Sequence, residues 1–260
     1  MHVRTLILGA GAAGLMAAAY AGPDTLVIDH ARAPGEKIRI SGGGRCNFTN
    51  MHTSPDRFIS QNPHFAKSAL SRYTQWDFIA LVDAHGIAHH EKTLGQLFCD
   101  GSAKQIVQML LTEADRAGAK IWLETSVGGV RHDGTFHVIL TRQGRDTDVT
   151  ADNLILATGG KSIPKMGATD LAYRVADQFE LPLITPRPGL VPLTFTDDRF
   201  KPLAGTALAA RVTAQGPGFD EALLFTHRGL SGPAILQTSS YWTDGQAITV
   251  DLSPAAQLGD

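Results

Sequence analysis

Two short apolar runs flank a glycine-rich turn and an alanine-rich segment at the start of the chain. Residues 5–8 and 25–28 have the near-continuous apolar character of strands buried on both faces of a parallel sheet. Residues 15–20 are rich in alanine, which predicts a helix between the two strands. The sequence GAGAAG at residues 9–14 joins the first strand to this helix, and Asp29 follows the second strand. The pattern predicts a βαβ unit with a glycine turn and a terminal acid.

This arrangement is typical of a site for a dinucleotide. Gly9 permits the tight turn, Gly11 lets the backbone approach a pyrophosphate, and Gly14 lets the helix pack closely against the strand. The helix N-terminus offers unpaired N–H groups and a partial positive charge to that pyrophosphate. Asp29, expected at an exposed strand end, would accept hydrogen bonds from a ribose diol. The predicted cofactor contacts are Gly9, Gly11, Ala12, Ala13, Gly14 and Asp29.

The next part of the chain shows helical apolar spacing. Two helices are expected over residues 63–86, with Phe65 and Phe78 on an apolar stripe. We expect Trp76 and Phe78 to lie in the core rather than against a cofactor. The elements that follow are a hairpin over 88–99, a helix from its cap Ser102 to near residue 118, and a strand of the parallel sheet over 119–123.

A small antiparallel insertion is predicted before the chain returns to the cofactor. Its three strands are expected at residues 126–130, 135–141 and 146–151. Residues 153–156 then predict a further buried strand, which runs into the small residues ATGG at 157–160. Ligands of open α/β sheets bind at the carboxyl ends of the strands. We therefore assign Thr158 and Gly159 to the cofactor site.

A second glycine-rich loop spans residues 31–50, which are too many and too rich in glycine for a simple turn. Its centre is SGGGRCN at residues 41–47. Three successive glycines cost backbone entropy, and polar donors surround them, which favours a loop pressed against a cofactor. Lys37 and Arg45 are placed for a phosphate or a flavin anion. A flexible surface loop is the structural alternative.

Four prolines lie within residues 182–192, and this composition indicates a domain junction. We predict an α/β domain at residues 1–187, with a parallel sheet and helices, followed by a β-rich domain at residues 188–260. The one dense polar motif of the second domain is FTHRGLSGP at residues 225–233, where Ser231 is expected to cap a helix.

Composition excludes several function classes. The chain has 260 residues, a formal net charge of −2 and 43% hydrophobic residues, an ordinary globular balance. The charge gives no general attraction to nucleic acid or anionic membranes, and no apolar run approaches the length of a membrane span. We therefore expect a small-molecule substrate and neither nucleic acid nor membrane among the partners. The oligomeric state stays open.

Two cysteines, Cys46 and Cys99, form no CxxC pair, and no spacing of histidine, cysteine and acid suggests a metal site. Residues 19–21 imitate a signal-peptide cleavage site, but the glycine turn before them favours a cofactor site. We expect reduced thiols in a cytoplasmic protein.

Together the motifs resemble those of the BaiN/YhiN-like family of FAD-dependent oxidoreductases, which includes aminoacetone-oxidase-like flavoproteins. The resemblance covers essentially the whole chain, and the loop ISGGGRCNFTN at residues 40–50 is its most specific part. It continues through ATGGKSIP at 157–164, LVPL at 190–193 and the motif at 225–233. The resemblance implies a Rossmann-like FAD domain interrupted by a β-rich substrate domain.

The resemblance also implies a cofactor and a reaction. The cofactor is FAD, which would take a hydride from NADH or NADPH and pass it to a small unsaturated or carbonyl-conjugated substrate, or to oxygen. Cys46 and Asn47 are then expected near the flavin ring and His227 at the substrate face, which makes these three the predicted catalytic residues. A small buried contact for Cys46 and a structural role for His227 are the alternatives. The remaining predicted cofactor contacts are Lys37, Ser41, Gly42, Gly44, Arg45, Cys46 and Val127.

Three features depart from the family pattern. Asp29 stands where glutamate is usual, so its carboxylate reaches less far. Asp170 and Ala172 stand where further glycines are usual, so the family's turn geometry does not carry over to these positions. Nothing resembles the family's final glycine-rich segment beside the flavin, so the resemblance implies either a fragment or a shortened relative with a partly open flavin site.

Other functions stay open at this level. The first is an NAD-binding dehydrogenase without flavin, and the second is a shortened flavin-binding protein without catalytic activity. A flavin-dependent RNA modification has little support, because no basic stripe with interleaved aromatic residues is evident in the sequence.

Overall fold

The computed structural model of the chain describes residues 1–253. The chain divides into two compact units, Met1–Leu183 and Ile184–Asp260. Within the described part of the chain, no helix is both long and apolar enough to cross a membrane.

The first unit alternates helices and strands. In chain order they are β1 (His2–Leu8), α1 (Ala12–Ala21), β2 (Thr25–Ile28), α2 (Glu36–Ile40), β3 (Asn47–Asn50), α3 (Lys67–Arg72), α4 (Gln75–Ala84), β4 (His89–Glu91), β5 (Gln96–Cys99), α5 (Ala103–Arg116), β6 (Lys120–Trp122), β7 (Thr125–His132), β8 (Phe136–Arg142), β9 (Arg145–Leu156) and α6 (Leu171–Gln178). Helix α5 begins at the predicted cap Ser102, which forms a capping box with Gln105.

The largest sheet has six strands in the order β6-β2-β1-β9-β8-β7. Strands β6, β2, β1 and β9 run parallel, whereas β9, β8 and β7 pair antiparallel. The order places β1 between β2 and β9, so the three strands that lead into the predicted cofactor residues end side by side. This confirms the predicted Rossmann-like α/β fold, with the ligand edge at the strand-order reversal beside β1.

Strand β9 is continuous where the sequence predicts two separate strands. Its 12 residues pair antiparallel with β8 in the first half and parallel with β1 in the second. The pair Asp152 and Asn153 suggests a break, but both side chains are exposed and leave the backbone ladder intact. The antiparallel strands therefore extend the main sheet instead of forming a separate insertion.

Two apolar layers pack on the two faces of this sheet. Because side chains alternate along a strand, Ile7 of β1 enters one layer and Leu6 enters the other. The first layer includes Leu15 of α1 and Leu110 of α5. The second includes residues of β7, β8 and β9 and Val175 of α6. The strand ends are thus held by cores on both sides.

The glycine-rich region 31–50 contains more regular structure than a loop. It includes α2, a 3-10 turn at Ser41–Gly44, and β3. Strand β3 pairs with β5, beside the predicted hairpin of β4 and β5, and completes a three-stranded sheet. The sequence pattern misses β3 because Phe48 is the one apolar residue in its sequence NFTN.

Helices α3 and α4 occupy the region predicted to be helical, but the expected core positions are only partly right. Phe78 packs against the core and contacts Phe48 with ring centroids 6.1 Å apart. Trp76 is 55% exposed and Phe65 is 80% exposed, so the expectation that Trp76 lies in the core is wrong. A two-residue step turns a helix by about 200°, so Trp76 faces away from Phe78.

The second unit is a β-rich domain, as predicted. Its elements are β10 (Leu193–Thr194), β11 (Ala207–Thr213), β12 (Phe219–Thr226), β13 (Gly229–Ser231), α7 (Pro233–Ser239) and β14 (Thr249–Asp251), with the five strands in the antiparallel order β10-β13-β12-β11-β14. Val212, Leu223 and Ile235 form its core. The N-cap of α7 is Gly232, whereas Ser231 belongs to β13, so the predicted cap is wrong by one residue.

Candidate functional site

The first glycine turn is held between three strand ends. The Gly9 N–H donates to the Ile28 carbonyl at 2.8 Å, and the Ala157 N–H donates to the Leu8 carbonyl at 2.8 Å. Gly9 has a φ of +114°, and a Cβ there would lie 2.4 Å from the Ala157 carbonyl oxygen. No side chain fits at this position, so glycine is required where β1, β2 and β9 end.

The other two glycines of the turn have different surroundings. A Cβ on Gly14 would lie 1.8 Å from the Gly9 carbonyl oxygen, so Gly14 allows α1 to pack against the turn, as predicted. A Cβ on Gly11 would meet no heavy atom within 4 Å, although Gly11 lines a cavity. Gly11 therefore keeps space open on the cavity side of the turn.

Helix α1 supplies an anion site at the same place. Its N-cap is Gly11, and no side chain caps it. Because the first N–H groups of a helix have no partner within the helix, those of Ala12 and Ala13 stay available at the cavity. Together with the partial positive charge of the helix N-terminus they suit a pyrophosphate.

Asp29 holds the first turn as well as facing the cavity. One carboxylate oxygen accepts from the Ala10 N–H at 2.7 Å and the other from the Ala31 N–H at 2.9 Å. Its side chain is 15% exposed, so the expectation of an exposed strand end is wrong. Each carboxylate oxygen has two lone pairs, so Asp29 can also accept from ribose hydroxyls while it stabilises the turn.

The end of β9 contributes a polar group without a partner. Thr158 Oγ1 is buried and has no hydrogen-bond partner among residues 1–253. A buried hydroxyl without a partner costs free energy, which a polar atom of a ligand would offset. Thr158 lines the cavity together with Gly159, whose φ of +75° favours glycine.

A cavity of about 720 Å³ runs along these strand ends, within the usual range for small-molecule and cofactor sites. The structure brings nine of the predicted cofactor residues to its lining: Gly9, Gly11, Ala12, Ala13, Asp29, Lys37, Val127, Thr158 and Gly159. The other predicted cofactor residues do not line it: Gly14, Ser41, Gly42, Gly44, Arg45 and Cys46.

Lys37 bridges two loops at the rim of the cavity. Its Nζ donates to the Gly160 carbonyl at 3.3 Å and to Ser162 Oγ at 3.2 Å. The ammonium group therefore ties α2 to the segment after β9, and it brings a positive charge to the cavity.

One wall of the cavity is absent from the sequence prediction. Residues 166–169, which precede α6, and Tyr173 within α6 line this wall, and His30 lies beside it. Gly167 lies so close to His30 that a Cβ there would be 2.2 Å from Nε2. Asp170 is the N-cap of α6 and pairs with Arg174 at 2.9 Å, and Ala172 lies within α6, so helical structure occupies the positions where the family pattern has further glycines. Gly167 before an amphipathic run is the signal that could have indicated this wall.

The second glycine turn is a compact structure at Ser41–Gly44. Gly42 and Gly43 have left-handed φ values of +56° and +67°, and the Cys46 N–H donates to the Ser41 carbonyl at 3.0 Å. A Cβ on Gly42 would lie 2.7 Å from the backbone nitrogen of Asn47. Local backbone geometry thus explains why these positions are glycine.

Cys46 follows this turn and is buried, whereas its neighbours Arg45 and Asn47 are exposed. Burial raises the pKa of the Cys46 thiol, and burial also raises the pKa of Cys99 to about 11. Both sulfurs therefore stay protonated at neutral pH, which makes neither an activated thiolate nucleophile.

The third predicted catalytic residue lies in the second unit. His227 is exposed in the turn between β12 and β13, and Arg228 is exposed beside it. All the residues that line the cavity belong to the first unit. Among residues 1–253, no group of three or more His, Cys, Asp or Glu side chains is arranged to hold a metal ion.

Comparison with known proteins identifies the class that this fold and site define. Residues 3–245 match the HI0933-like protein Rossmann domain. The chain therefore belongs to the HI0933-like family, a family of FAD-dependent Rossmann proteins.

Three individual proteins give more specific comparisons than the family model does. The chain is 49% identical over 260 residues to a ribosomal RNA dihydrouridine synthase of Escherichia coli K12, covering 97% of this chain and 64% of that protein. It is 50% identical over 260 residues to the ribosomal RNA dihydrouridine synthase of Haemophilus influenzae, covering 97% of this chain and 65% of that protein. It is 27% identical over 251 residues to a 3-dehydro-bile acid delta(4,6)-reductase of Clostridium scindens, and the match covers 92% of this chain and 60% of that protein. The chain thus spans just under two thirds of the length of the curated relatives it matches.

The residues present fit the FAD that the family implies. Open space at Gly11 and an uncapped helix N-terminus suit the pyrophosphate. Asp29 retains acceptor capacity for the ribose, and Thr158 Oγ1 lacks a partner that a polar cofactor atom would supply. The family and these features together support the cofactor expected from the sequence.

Proposed function

We propose that the protein is an FAD-dependent reductase of a carbon–carbon double bond conjugated to a carbonyl, and that its substrate is uridine in ribosomal RNA. The observation that carries the proposal is the 49% and 50% identity, over 97% of the chain, to two proteins named ribosomal RNA dihydrouridine synthase. The cavity at the ends of β1, β2 and β9 supports the cofactor part of the proposal.

The relatives' names share one chemistry. Dihydrouridine is uridine whose C5–C6 double bond is reduced, and this bond is conjugated to the C4 carbonyl. A delta(4,6)-reductase also acts on carbon–carbon double bonds. Such a reduction adds a hydride to the carbon β to the carbonyl, which is C6 of uracil, and a proton to C5. Reduced FAD, when bound, supplies the hydride in reactions of this class.

The chain's own residues bind and orient the reactants. The N–H groups of Ala12 and Ala13 would hold the pyrophosphate, and Asp29 would accept from the ribose hydroxyls. Cys46 is our candidate for the proton donor, because the SGGGRCN loop is expected beside the flavin ring and the Cys46 thiol in it, whose pKa burial raises, is protonated at neutral pH. Asn47 and His227 are the further candidates for contact with the substrate, and NADH or NADPH is the proposed reductant.

A small carbonyl-conjugated molecule is the second candidate substrate. The relative from Clostridium scindens favours it, and so does the net charge of −2, from which we expect no general attraction to nucleic acid. Both candidate substrates have a carbonyl-conjugated double bond that reduced FAD would reduce. They can therefore be compared in one assay with the same FAD-loaded protein and the same reductant.

The test uses purified protein loaded with FAD under anaerobic conditions. NADH or NADPH is added, followed by ribosomal RNA transcribed in vitro, and the RNA is digested to nucleosides for mass spectrometry. We expect dihydrouridine from the loaded protein and none from a Gly11→Val variant that lacks cofactor. A simple cyclic enone serves as the competing substrate.

Two results would contradict the proposal in different ways. Reduction of the enone without any dihydrouridine would show that RNA is the wrong substrate. Purified protein that takes up no FAD would show that the cofactor assignment is wrong for this chain.

A further inference from the structure

We infer that residues 51–76, called here the 51–76 segment, form a surface that binds unpaired RNA. The inference rests on the proposed function, because it names the part of the protein that would hold the RNA substrate. The segment begins directly after β3, and β3 itself begins at Asn47, next to the candidate proton donor Cys46.

The segment exposes aromatic side chains that the core does not use. Phe58 is 49% exposed, Phe65 is 80% exposed and Trp76 is 55% exposed. None of residues 51–75 is buried. A single exposed aromatic residue needs no explanation, but three in one segment that contributes nothing to the core indicate a surface for a partner.

The structure anchors this segment at its base. The side-chain amide of Gln75 donates to the Met51 carbonyl at 3.1 Å and to the Thr53 carbonyl at 3.4 Å, which ties the end of the segment to its start. Thr74 and Asp77 form the capping box of α4, which carries Trp76. Phe58 and Phe65 therefore lie in a loop that is closed at its base, and Trp76 lies in the first turn of α4 directly beside the closure. Closing the loop reduces the entropy that it loses when it binds a ligand.

The charge of the segment is opposite to that of the whole chain. It contains Arg57, Lys67 and Arg72 but a single acid, Asp56, so its formal charge is positive in a chain with a net charge of −2. The Asp56 carboxylate pairs with the Arg57 guanidinium at 3.3 Å, which partly neutralises the one negative charge of the segment. This local positive charge complements RNA phosphates.

Aromatic side chains among cations, a pattern that the sequence analysis did not recognise in this segment, favour RNA whose bases are not stacked in a helix. Bases of unpaired RNA stack on aromatic side chains while Lys and Arg follow the phosphates, whereas the bases of duplex RNA are already stacked and inaccessible. An enzyme that acts on the face of a base also needs that base out of the helix. Both considerations select unpaired RNA over duplex RNA.

The experiment measures RNA binding by the FAD-loaded 260-residue chain. A labelled, unpaired uridine-containing oligonucleotide and a duplex of the same length are titrated by fluorescence anisotropy at several salt concentrations. The variants are Phe65→Ala/Trp76→Ala and Lys67→Ala/Arg72→Ala. The matched control is Ile139→Ala/Arg145→Ala, which removes an exposed apolar residue and an exposed cation from β8 and β9. An FAD titration of each variant verifies that the first unit is folded.

We expect tighter binding of the unpaired RNA. Loss of both aromatic side chains should weaken it at least about tenfold, because stacking on each is worth about tenfold on its own. Loss of both cations should reduce the magnitude of the slope of log affinity against log salt by about 1.4, since each phosphate contact on single strands contributes about 0.7. The control should bind like the wild type.

The inference is overturned if the Phe65→Ala/Trp76→Ala variant binds RNA like the wild type, if the control is weakened equally, or if duplex RNA binds as tightly as unpaired RNA. Dihydrouridine formation by the wild type separates this failure from failure of the proposed function. Dihydrouridine with unchanged binding by the variants refutes the surface alone. If the FAD-loaded wild type forms no dihydrouridine and binds no RNA, both the RNA-binding surface and the proposed function are refuted.

Discussion

The two glycine turns of the first unit use glycine for different reasons. In the turn at residues 9–14, packing excludes a side chain, because a Cβ on Gly9 or Gly14 would lie 2.4 or 1.8 Å from a backbone oxygen. In the turn at Ser41–Gly44, Gly43 has open space around it, and its left-handed φ of +67° is what favours glycine.

This difference separates a rigid binding site from a locally determined loop. The first turn lies where three strands end and cannot adjust without moving the sheet. The second turn is partly exposed, and a side chain at Gly43 would cost backbone strain rather than a clash. Substitution of Gly9 or Gly14 is therefore expected to have a large effect, and substitution of Gly43 a small one.

The largest effect is expected for Gly14→Ala. The new methyl group would clash with the Gly9 carbonyl, so α1 must move away from the strand ends, at a cost of about 3 kcal/mol or more in unfolding free energy. Urea unfolding measures the change. Gly11→Ala is the matched control, because it adds the same methyl group to open space. Equal stability of the two variants would contradict the packing argument.

The second prediction concerns Gly11→Val, which fills the space beside the helix N-terminus. The fold should survive because no protein atom is within 4 Å of the new Cβ, whereas FAD should bind at least about a hundredfold more weakly. The visible absorbance of the purified variant measures its FAD content, and an FAD titration measures its affinity. A variant that purifies fully loaded with FAD would show that the pyrophosphate lies elsewhere.

Asp29→Ala should weaken both the turn and the cofactor site. The Ala10 and Ala31 N–H groups lose a charged acceptor, which should lower the unfolding free energy by about 1.5–3 kcal/mol. Loss of the ribose acceptor should reduce FAD affinity about ten- to a hundredfold. Denaturant unfolding without FAD measures the first effect, and titration calorimetry the second. Unchanged FAD affinity would remove Asp29 from the ribose site.

Thr158→Val tests the unpartnered hydroxyl at the end of β9. Without cofactor the variant should be as stable as the wild type or slightly more stable, because it removes a buried group that has no partner in the described chain. FAD affinity should fall about five- to tenfold. Thr158→Ser, which keeps the hydroxyl, should retain more of the affinity. A stability loss with unchanged FAD affinity would show that the hydroxyl serves the fold instead.

The smallest effect is expected in the second turn. Gly43→Ala should cost about 1 kcal/mol of stability through its left-handed φ alone, without a change in FAD affinity. Gly42→Ala should cost more, because its Cβ would lie 2.7 Å from the Asn47 nitrogen and from the Phe98 ring. Thermal unfolding compares the two variants. A loss of FAD binding in Gly43→Ala would support the cofactor interpretation of this loop.

Several features were predictable from the sequence because short stretches determine them. The spacing of Gly9, Gly11 and Gly14 between two apolar runs specifies a strand, a turn and a helix whose sterics tolerate little else. Ser102 is recognisable as a cap because capping involves residues three positions apart. Thr158 is found at the cavity because an apolar run followed by small residues marks a strand end.

Other features were decided only by the tertiary structure, because they depend on residues far apart in the chain. The union of two predicted strands into β9 requires the ladder with β1, more than a hundred residues earlier. The wall from Gly167 to Tyr173 faces His30 only after the chain has folded. The partners of the Asp29 carboxylate and the exposure of Trp76 follow likewise from packing. Local sequence determines which conformations a segment can adopt, whereas burial and contact depend on what the rest of the chain places beside it.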